Sequence, residues 1–267
     1  MNKFVYITIR RLVYITSGLL DQMLGRKNLV TILCYHDIAN DGWRFGVSLK
    51  TFQQQINFLH KNYSFITSKE LEEFLAGKHK ISQPSVLLTF DDGYAGIFQT
   101  KDFLRSLNIK PVVFVLSGKK INYPELGGVK KLLTTSQMLK LSRLGWTIGS
   151  HSSTHANFGK LSPSQIKNEI SGSKSILEKT LKLKINHFAY PKGRYSNRIL
   201  DAVKASGYKM AFSMNSGQID HFTNPFLLPR VGVDRTHSFS EFISLLLPSC
   251  ISIKKYLNSK LSVLDYE

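Results

Sequence analysis

After residue 27 the sequence alternates short apolar runs with amphipathic stretches, and this alternation restricts the fold more than any other feature. Runs such as Ser85 to Phe90 and Pro111 to Leu116 predict strands, because they are short, apolar and rich in β-branched or aromatic residues. Stretches such as Ser48 to Tyr63 and Ser162 to Leu181 have the spacing of amphipathic helices. The serines that open the stretches Ser48 to Tyr63 and Ser68 to Ala76 are predicted to cap those helices. Strands that alternate with helices form parallel βα units, and seven or eight such units close into a barrel. The predicted fold class is therefore α/β.

The same pattern supplies the remaining elements. Further strands are predicted at Leu29 to Tyr35, Trp146 to Gly149, His187 to Tyr190, Lys209 to Ser213 and Phe226 to Val233. Further helices are predicted at Ser68 to Ala76, between Phe90 and about Leu107, before Leu144, and at Ser196 to Ser206, Phe239 to Leu247 and Ile251 to Leu261. In a barrel of parallel strands, chemistry lies just beyond the carboxyl ends of the strands. Unusual residues at those positions are therefore the first candidates for a site.

The length of 267 residues, 42% of them hydrophobic, fits one large α/β domain. We divide the chain into an N-terminal segment, 1–27, and a domain, 28–267, whose motif-bearing core spans 84–235. Two cysteines, Cys34 and Cys250, make no disulfide framework. Cys34 lies in an apolar run, which is typical of a small buried hydrophobic residue.

The chain carries a net charge of +18, which attracts polyanions such as acidic membranes, nucleic acids or anionic glycans. Its basic residues are scattered as short pairs, for example Lys130-Lys131, and no nucleic-acid-binding motif surrounds them. A solvated basic surface is therefore favoured over specific binding of nucleic acid.

The N-terminal segment, 1–27, combines apolar and aromatic residues with an internal Arg10-Arg11 pair. Neither apolar half reaches the roughly 20 residues that a membrane-spanning helix needs. The charges lie in the middle, unlike those of a signal peptide, and no cleavage site is convincing. Two predictions remain open: a basic amphipathic helix on an anionic membrane surface, and a helix packed on the domain. We expect the protein in the cytoplasm, on the inner face of a membrane.

The strongest local signal is Thr89-Phe90-Asp91-Asp92-Gly93, in which an apolar strand runs into two carboxylates and a glycine. Neighbouring side chains at a strand end point in different directions. One carboxylate can therefore bind a metal ion while the other faces a reacting water. The sequence Asp-Asp-Gly alone would also fit a simple turn.

A second signal, His151-Ser152-Ser153-Thr154-His155, also follows a predicted strand. Two histidines at this spacing can reach one metal ion. Combined with the carboxylates, they offer an Asp/His/His site with room for water, which is the form of a catalytic metal site.

These motifs resemble those of the polysaccharide deacetylase family, also called the NodB-homology fold or carbohydrate esterase family four. Its first motif, Thr-Phe-Asp-Asp-Gly, stands unchanged at 89–93, and its second, His-Ser/Thr-x-x-His, stands at 151–155. The third, centred on Pro-x-Gly, is matched by 188–193, Phe-Ala-Tyr-Pro-Lys-Gly, a form similar to that of a branch acting on glucosamine-type polymers. The stretch 33–36, Leu-Cys-Tyr-His, resembles the opening strand of one bacterial branch. The resemblance covers nearly the whole chain after residue 28 and implies a distorted (β/α) barrel of about seven parallel strands.

The resemblance also implies roles for particular residues. Asp91 would be the general base, and Asp92, His151 and His155 would hold one divalent metal ion. Zinc is the ion that the resemblance implies, although cobalt, nickel or iron would suit the same ligands. The backbone N–H of Lys192 would stabilise the oxyanion, and its side chain fits a surface lysine. The expected reaction is removal of N-acetyl groups from amino sugars of a polysaccharide or lipid-linked glycan.

The sequence departs from the family at three points, one of which is that the usual Asp/Trp motif after the third motif is not evident. Many members carry an arginine in the third motif that tunes the catalytic aspartate, and the matching position here is Ala189. The late Leu-x-His motif that supplies a general acid is not evident. His36 and His237 are the candidates for that acid, and a purely structural histidine stays open for both. Asp37, Asp41 and Asp234 fit loop or cap residues, with only Asp234 having a modest claim on the site.

Other functions therefore remain open. The same barrel could hydrolyse another non-peptide C–N bond, such as that of a cyclic amide. The missing arginine and late histidine also fit a catalytically weak glycan-binding relative. Against that alternative, the candidate base and all three candidate metal ligands are present.

Overall fold

The computed structural model describes residues 29–118 and 130–253. The N-terminal segment and most of the helix predicted at Ile251 to Leu261 lie outside these ranges. Within them, no helix is both long enough and apolar enough to cross a bilayer.

Parallel strands follow one another around a curled sheet, as the alternating pattern predicts. The path runs β10-β1-β5-β6-β7-β8-β9, and β4 pairs separately with β5. All of these pairings are parallel. The sheet strands are β1 (Val30–Tyr35), β4 (Ser64–Phe65), β5 (Ser85–Phe90), β6 (Val112–Val115), β7 (Thr147–Ser150), β8 (His187–Ala189), β9 (Met210–Phe212) and β10 (Val231–Gly232). The prediction of a distorted barrel of about seven parallel strands is confirmed.

The two ends of this path approach each other. Leu228 donates its N–H to the carbonyl of Ala211, and Ser213 donates its N–H to the carbonyl of Leu228. These bonds link β9 to the segment that leads into β10. The strand predicted at Phe226 to Val233 is reduced to Val231–Gly232. Pro229 has no N–H for a ladder bond, which accounts for the interruption.

Helices pack outside the barrel and connect the strands. They are α1 (Leu49–Asn62), α2 (Ser68–Leu75), α3 (Lys101–Ser106), α4 (Thr135–Arg143), α5 (Pro163–Lys167), α6 (Ser173–Leu181), α7 (Asn197–Ala205) and α8 (Phe239–Ser244). Ser48 caps α1 as predicted, because its side chain accepts the Thr51 N–H. The predicted Ser cap of α2 is wrong: Thr67 caps that helix in a capping box with Glu70.

Three details differ from the sequence pattern. The helix predicted at Ser162 to Leu181 contains a π-helical turn, Asn168–Gly172, between α5 and α6. A 3-10 turn, Ala95–Thr100, precedes α3. A small separate ladder pairs β2 (Asp37–Ile38) with β3 (Gly46–Val47). Two residues per strand are too few for sequence periodicity to reveal.

Alternate residues of each strand face opposite sides of the sheet, and the core is divided accordingly. Val30 and Ile32 of β1 belong to the cluster inside the barrel, together with Leu87 of β5. Leu33 and Tyr35 belong to the larger cluster beneath the helices. The same alternation along the strands determines which polar side chains face the mouth of the barrel.

Candidate active site

The predicted site residues meet at the carboxyl ends of neighbouring strands. Asp91 and Asp92 directly follow β5, His151 follows β7, and His36 follows β1. Lys192 lies in a 3-10 turn, Pro191–Gly193, shortly after β8. A parallel sheet places all these strand ends at one edge, so residues distant in sequence share one mouth.

Asp92, His151 and His155 form a buried group with the arrangement of metal ligands. One ligand atom from each lies within 4.8 Å of those from the other two. The Nε2 atoms of His151 and His155 each lie 3.7 Å from Oδ1 of Asp92. The structure therefore brings together all three residues that the sequence predicts as ligands.

The hydrogen bonding of these residues fits a bound cation. Within the described ranges, the two Asp92 oxygens and His155 Nδ1 are buried without a hydrogen-bond partner of standard geometry. Buried polar atoms of this kind are costly unless something binds them. His151 Nδ1 lies 2.9 Å from the carbonyl oxygen of Ala189. If Nδ1 carries the proton, Nε2 keeps its lone pair for a metal, as is usual for liganding histidines.

Glu169 holds the loop that carries the two histidines. Its Oε2 accepts the N–H groups of Ser153 and Thr154, each at 2.9 Å, and its Oε1 accepts the Thr154 hydroxyl at 2.6 Å. Glu169 lies in the π-helical turn and is 9% exposed. π-turns often occur at functional sites. The role of Glu169 is not predictable from the sequence, because a glutamate within a helical pattern predicts only a solvated face.

Arg230 binds the candidate base through both ends of its guanidinium. Its Nη1 donates to Asp91 Oδ1 and its Nη2 to Asp91 Oδ2, each at 2.7 Å. Its Nε donates to the Ser213 carbonyl at 3.0 Å. The Arg230 side chain is 0% exposed, so this charge-assisted pair is shielded from water. The arginine expected at Ala189 is thus replaced by one from the segment before β10.

The charge on Arg230 determines the protonation of Asp91. Burial by itself would raise the pKa of Asp91, but the adjacent guanidinium outweighs it and holds the pKa well below its usual range. Asp91 is therefore ionised at neutral pH, as a general base must be.

Cys34 and His36 lie beside the same carboxylate. The Cys34 thiol is fully buried and donates to Asp91 Oδ2 at 3.4 Å. Cys34, His36 and Asp91 each offer an atom within 4.8 Å of the other two. Burial lowers the pKa of His36, an effect that Asp92 and Asp91 partly oppose. Cys34 is buried as predicted, and it also donates a hydrogen bond to the candidate base.

The other candidate acid, His237, has a different environment. Its Nδ1 lies 3.4 Å from Oδ1 of Asp234, in the turn before α8. Asp234 in turn accepts Arg44 Nε at 2.9 Å. Asp37 and Asp41 both accept Lys130 Nζ. Asp41 lies in a loop as predicted, whereas the loop prediction is wrong for Asp37, which is buried in β2. The structure therefore groups His36, and not His237, with Asp91.

Several site residues have backbone conformations that L-residues rarely adopt. The φ angles are +65° at Asp92, +62° at His155 and +57° at Lys192. Gly193 follows Lys192 with φ +69°, and a Cβ at that glycine would lie 2.4 Å from Cβ of Met214. Strained residues cluster at functional sites, where the surrounding structure holds them. Lys192 is predicted correctly as an exposed side chain on a turn at the mouth.

Comparison with known proteins agrees with this geometry. The family model for polysaccharide deacetylase matches residues 78–211. The Bacillus subtilis (strain 168) protein YxkH, whose name assigns it to that family, is 32% identical over 213 residues, which cover 79% of this chain and 74% of YxkH. The chain belongs to the polysaccharide deacetylase family. As a polysaccharide deacetylase, it is a hydrolase of carbon–nitrogen bonds other than peptide bonds.

Two further similarities are to the sequence of an N-deacetylase and to a solved structure. The poly-β-1,6-N-acetyl-D-glucosamine N-deacetylase of Staphylococcus aureus (strain MRSA252) is 24% identical over 200 residues, covering 70% of this deacetylase and 67% of that enzyme. The structure of the Streptococcus pyogenes deacetylase PplD superposes with a TM-score of 0.70 at 24% identity, covering 82% of this chain and 99% of that one. The second similarity supports the NodB-like barrel.

Proposed function

We propose that this deacetylase removes N-acetyl groups from a glucosamine-type polymer, with zinc at Asp92, His151 and His155 and with Asp91 as general base. One observation carries the proposal: a buried triad of metal-type ligands lies beside a carboxylate that a buried arginine keeps ionised. The similarity to the S. aureus enzyme, which acts on poly-β-1,6-N-acetyl-D-glucosamine, supports this class of polymer. The 188–193 motif points to the same class.

The ligand set supports a catalytic zinc and not a structural one. A carboxylate and two imidazoles leave coordination positions for water and substrate. When bound, such an ion supplies an acidified water and polarises the acetyl carbonyl.

The remaining chemistry belongs to the residues of the chain. Asp91 takes a proton from the attacking water, and Arg230 keeps the carboxylate ionised until it does so. The N–H of Lys192 donates to the oxyanion of the tetrahedral intermediate. His36 delivers a proton to the leaving nitrogen. Because burial lowers its pKa, we propose that His36 gains this proton during the reaction, from the neighbouring Asp91.

The test is release of acetate from β-1,6-linked N-acetylglucosamine oligomers, after removal of metal and after addition of zinc or cobalt. We compare the native protein with Asp91→Asn, Asp92→Asn and His36→Ala. Asp201→Asn is the matched control, because Asp201 is an exposed aspartate on the outer surface of α7. We expect Asp91→Asn to lower kcat by about 10²- to 10⁴-fold, which is the usual contribution of general base catalysis.

The Asp91 and Asp92 variants test separate parts of the proposal, and a native rate of acetate release in His36→Ala would show that His36 is not the general acid. Loss of metal binding in Asp92→Asn, with binding kept in Asp91→Asn, is the expected division of roles. Bound metal with no acetate from any N-acetylated sugar would exclude the deacetylase proposal and favour a different amide substrate. An Asp91→Asn variant with native turnover would show that Asp91 is not the base.

The predicted location stays a proposal. A cytoplasmic enzyme on the inner membrane face would meet lipid-linked glycans, whereas an exported enzyme would meet finished polymer. Activity on short lipid-linked acceptors, compared with long soluble polymer, distinguishes the two substrates.

A further inference from the structure

The end of the barrel opposite the active site carries an aromatic side chain in water. Phe222 is 96% exposed, whereas the other large hydrophobic residue that is exposed in the described ranges, Ile176, is 45% exposed. A single exposed apolar residue is common on protein surfaces and needs no explanation by itself. Its setting is what makes Phe222 informative.

The turn beneath Phe222 is fixed by its own hydrogen bonds. Asp220 Oδ1 accepts the Phe222 N–H at 3.0 Å and the Thr223 hydroxyl at 2.8 Å. The neighbouring His221 ring packs on Phe74 at a centroid distance of 4.1 Å, and its Nδ1 lies 3.0 Å from the Phe74 carbonyl oxygen. The phenyl group is therefore presented outward by an ordered turn.

The position of this turn is set by the start of β1. Ile219 and Val30 exchange backbone hydrogen bonds of 3.3 and 2.9 Å. Val30 is the first residue of β1, and Asp91 and His151 lie at the opposite ends of the strands. Phe222 therefore lies at the amino-terminal end of the barrel strands.

Basic and apolar residues lie at this end of the barrel, together with the exposed acidic Asp220. Exposed Lys78 and Lys80 lie in the loop that leads to the start of β5, beside the partly buried Leu75 and Ile81. We call these four residues and Phe222 the amino-terminal face. In the amino-acid sequence, the residues that precede Leu29 include five basic residues, Lys3, Arg10, Arg11, Arg26 and Lys27, and one acidic residue, Asp21. Apolar groups within a basic surface suit the interface of an anionic bilayer.

We propose that the amino-terminal face docks on an anionic lipid surface, with Phe222 inserted at the level of the headgroups. In this orientation the mouth of the barrel points away from the bilayer, towards a polymer in solution. The inference rests on the fold and the surface, and it holds whether or not the proposed substrate is correct.

The experiment measures binding of the full chain to vesicles of phosphatidylglycerol and phosphatidylcholine, with pure phosphatidylcholine vesicles as reference. We expect Phe222→Ser to weaken binding to anionic vesicles by about tenfold, and Lys78→Glu combined with Lys80→Glu to weaken it further. Ile176→Ser is the matched control, because it removes an exposed apolar side chain on α6, and it should leave binding unchanged. All these variants should deacetylate short soluble oligomers at the native rate.

A second variant reports insertion directly. Phe222→Trp should be quenched by brominated acyl chains in anionic vesicles more strongly than the native protein, which has Trp43 and Trp146 only. Equal quenching of the two proteins, or native vesicle binding by Phe222→Ser, would overturn the proposal. A self-association that Phe222→Ser abolishes, without vesicle binding, would also overturn it and assign the face to a second copy of the chain.

Discussion

At the scale of single residues, Arg230 controls how Asp91 works. The buried guanidinium makes two bonds of 2.7 Å to one carboxylate. Arg230→Lys keeps the charge but cannot form both bonds. A hydrogen bond to a charged group contributes about 1.5–3 kcal/mol, so we expect kcat/KM to fall by about 10- to 100-fold. Steady-state kinetics on soluble oligomers measures the change, and native kinetics in Arg230→Lys would contradict a role for the paired geometry.

The pH profile tests the same pair independently. Arg230 lowers the pKa of Asp91, so removing the positive charge in Arg230→Met must raise it. Because only the ionised carboxylate accepts a proton, the acidic limb of kcat/KM should move to higher pH. The stability of the fold should change as well. The native pair contributes its full stabilisation above the unfolded pKa of about 3.9, and this contribution is lost progressively as the pH falls from there through the low folded pKa of Asp91. Arg230→Met should lack it at neutral pH, and urea titrations at several pH values measure the difference.

Some of these residues are predictable from the sequence, and others are not, for a physical reason. Asp91, Asp92, His151 and His155 stand beside predicted strand ends, where local spacing reveals them. Arg230 lies 139 residues from its partner, and only the pairing of β10 with β1, and of β1 with β5, brings the two together. One signal was present: an arginine inside the apolar stretch 228–233, which would be costly to bury without a carboxylate partner.

At the scale of elements, the turn after β8 carries the proposed oxyanion donor, the backbone N–H of Lys192. No substitution of the Lys192 side chain removes this N–H. In Gly193→Ala a Cβ would lie 2.4 Å from Cβ of Met214, so the turn must shift and move the Lys192 N–H. We expect kcat to fall by about 10²-fold with KM little changed, as when one oxyanion donor is lost. Gly207→Ala is the control, since it has a similar φ, +73°, and no atom within 4 Å of the new Cβ. Equal losses in both variants would indicate backbone strain alone.

The π-helical turn between α5 and α6 holds the loop that carries the two candidate histidine ligands. Glu169→Gln keeps the size of the side chain but weakens the three bonds to Ser153 and Thr154. Substitution of residues that orient metal ligands typically lowers metal affinity by about 10- to 100-fold, and we expect zinc affinity to fall by that factor. Competition with a chelator measures it. Glu178→Gln on α6 is the control, because Glu178 contacts Lys174 and Ile185 instead. Native zinc affinity in Glu169→Gln would show that the Glu169 carboxylate is not needed to position the metal ligands.

The elements themselves were largely predictable, because strong periodicity identifies long segments. Ser85 to Phe90 is a strand with the predicted bounds, and α1 begins after its predicted cap. The π-helical turn was not predictable, since its residues keep the apolar spacing of an ordinary helix. Its cause is tertiary: the turn places Glu169 against the histidine loop.

At the scale of the whole molecule, charge distinguishes substrate from product. Each acetyl group removed from the proposed polymer exposes an amine, which carries a positive charge at neutral pH. The protein itself has a net charge of +18, so its field repels a deacetylated polymer and not a neutral one. Product release is therefore favoured, and polymer that is already partly deacetylated should bind less well.

This repulsion makes the kinetics depend on salt in a specific way. At low ionic strength we expect KM to rise with the degree of deacetylation of the polymer. Raising the salt concentration to 0.5 M should reduce this difference, because the screening length falls from about 10 Å at 0.1 M towards 3 Å at 1 M. Fully acetylated oligomers are the control, and their KM should hardly change with salt. If KM for partly deacetylated polymer exceeds that for acetylated polymer by the same factor at all salt concentrations, local contacts in the mouth of the barrel cause the discrimination, and the net charge does not.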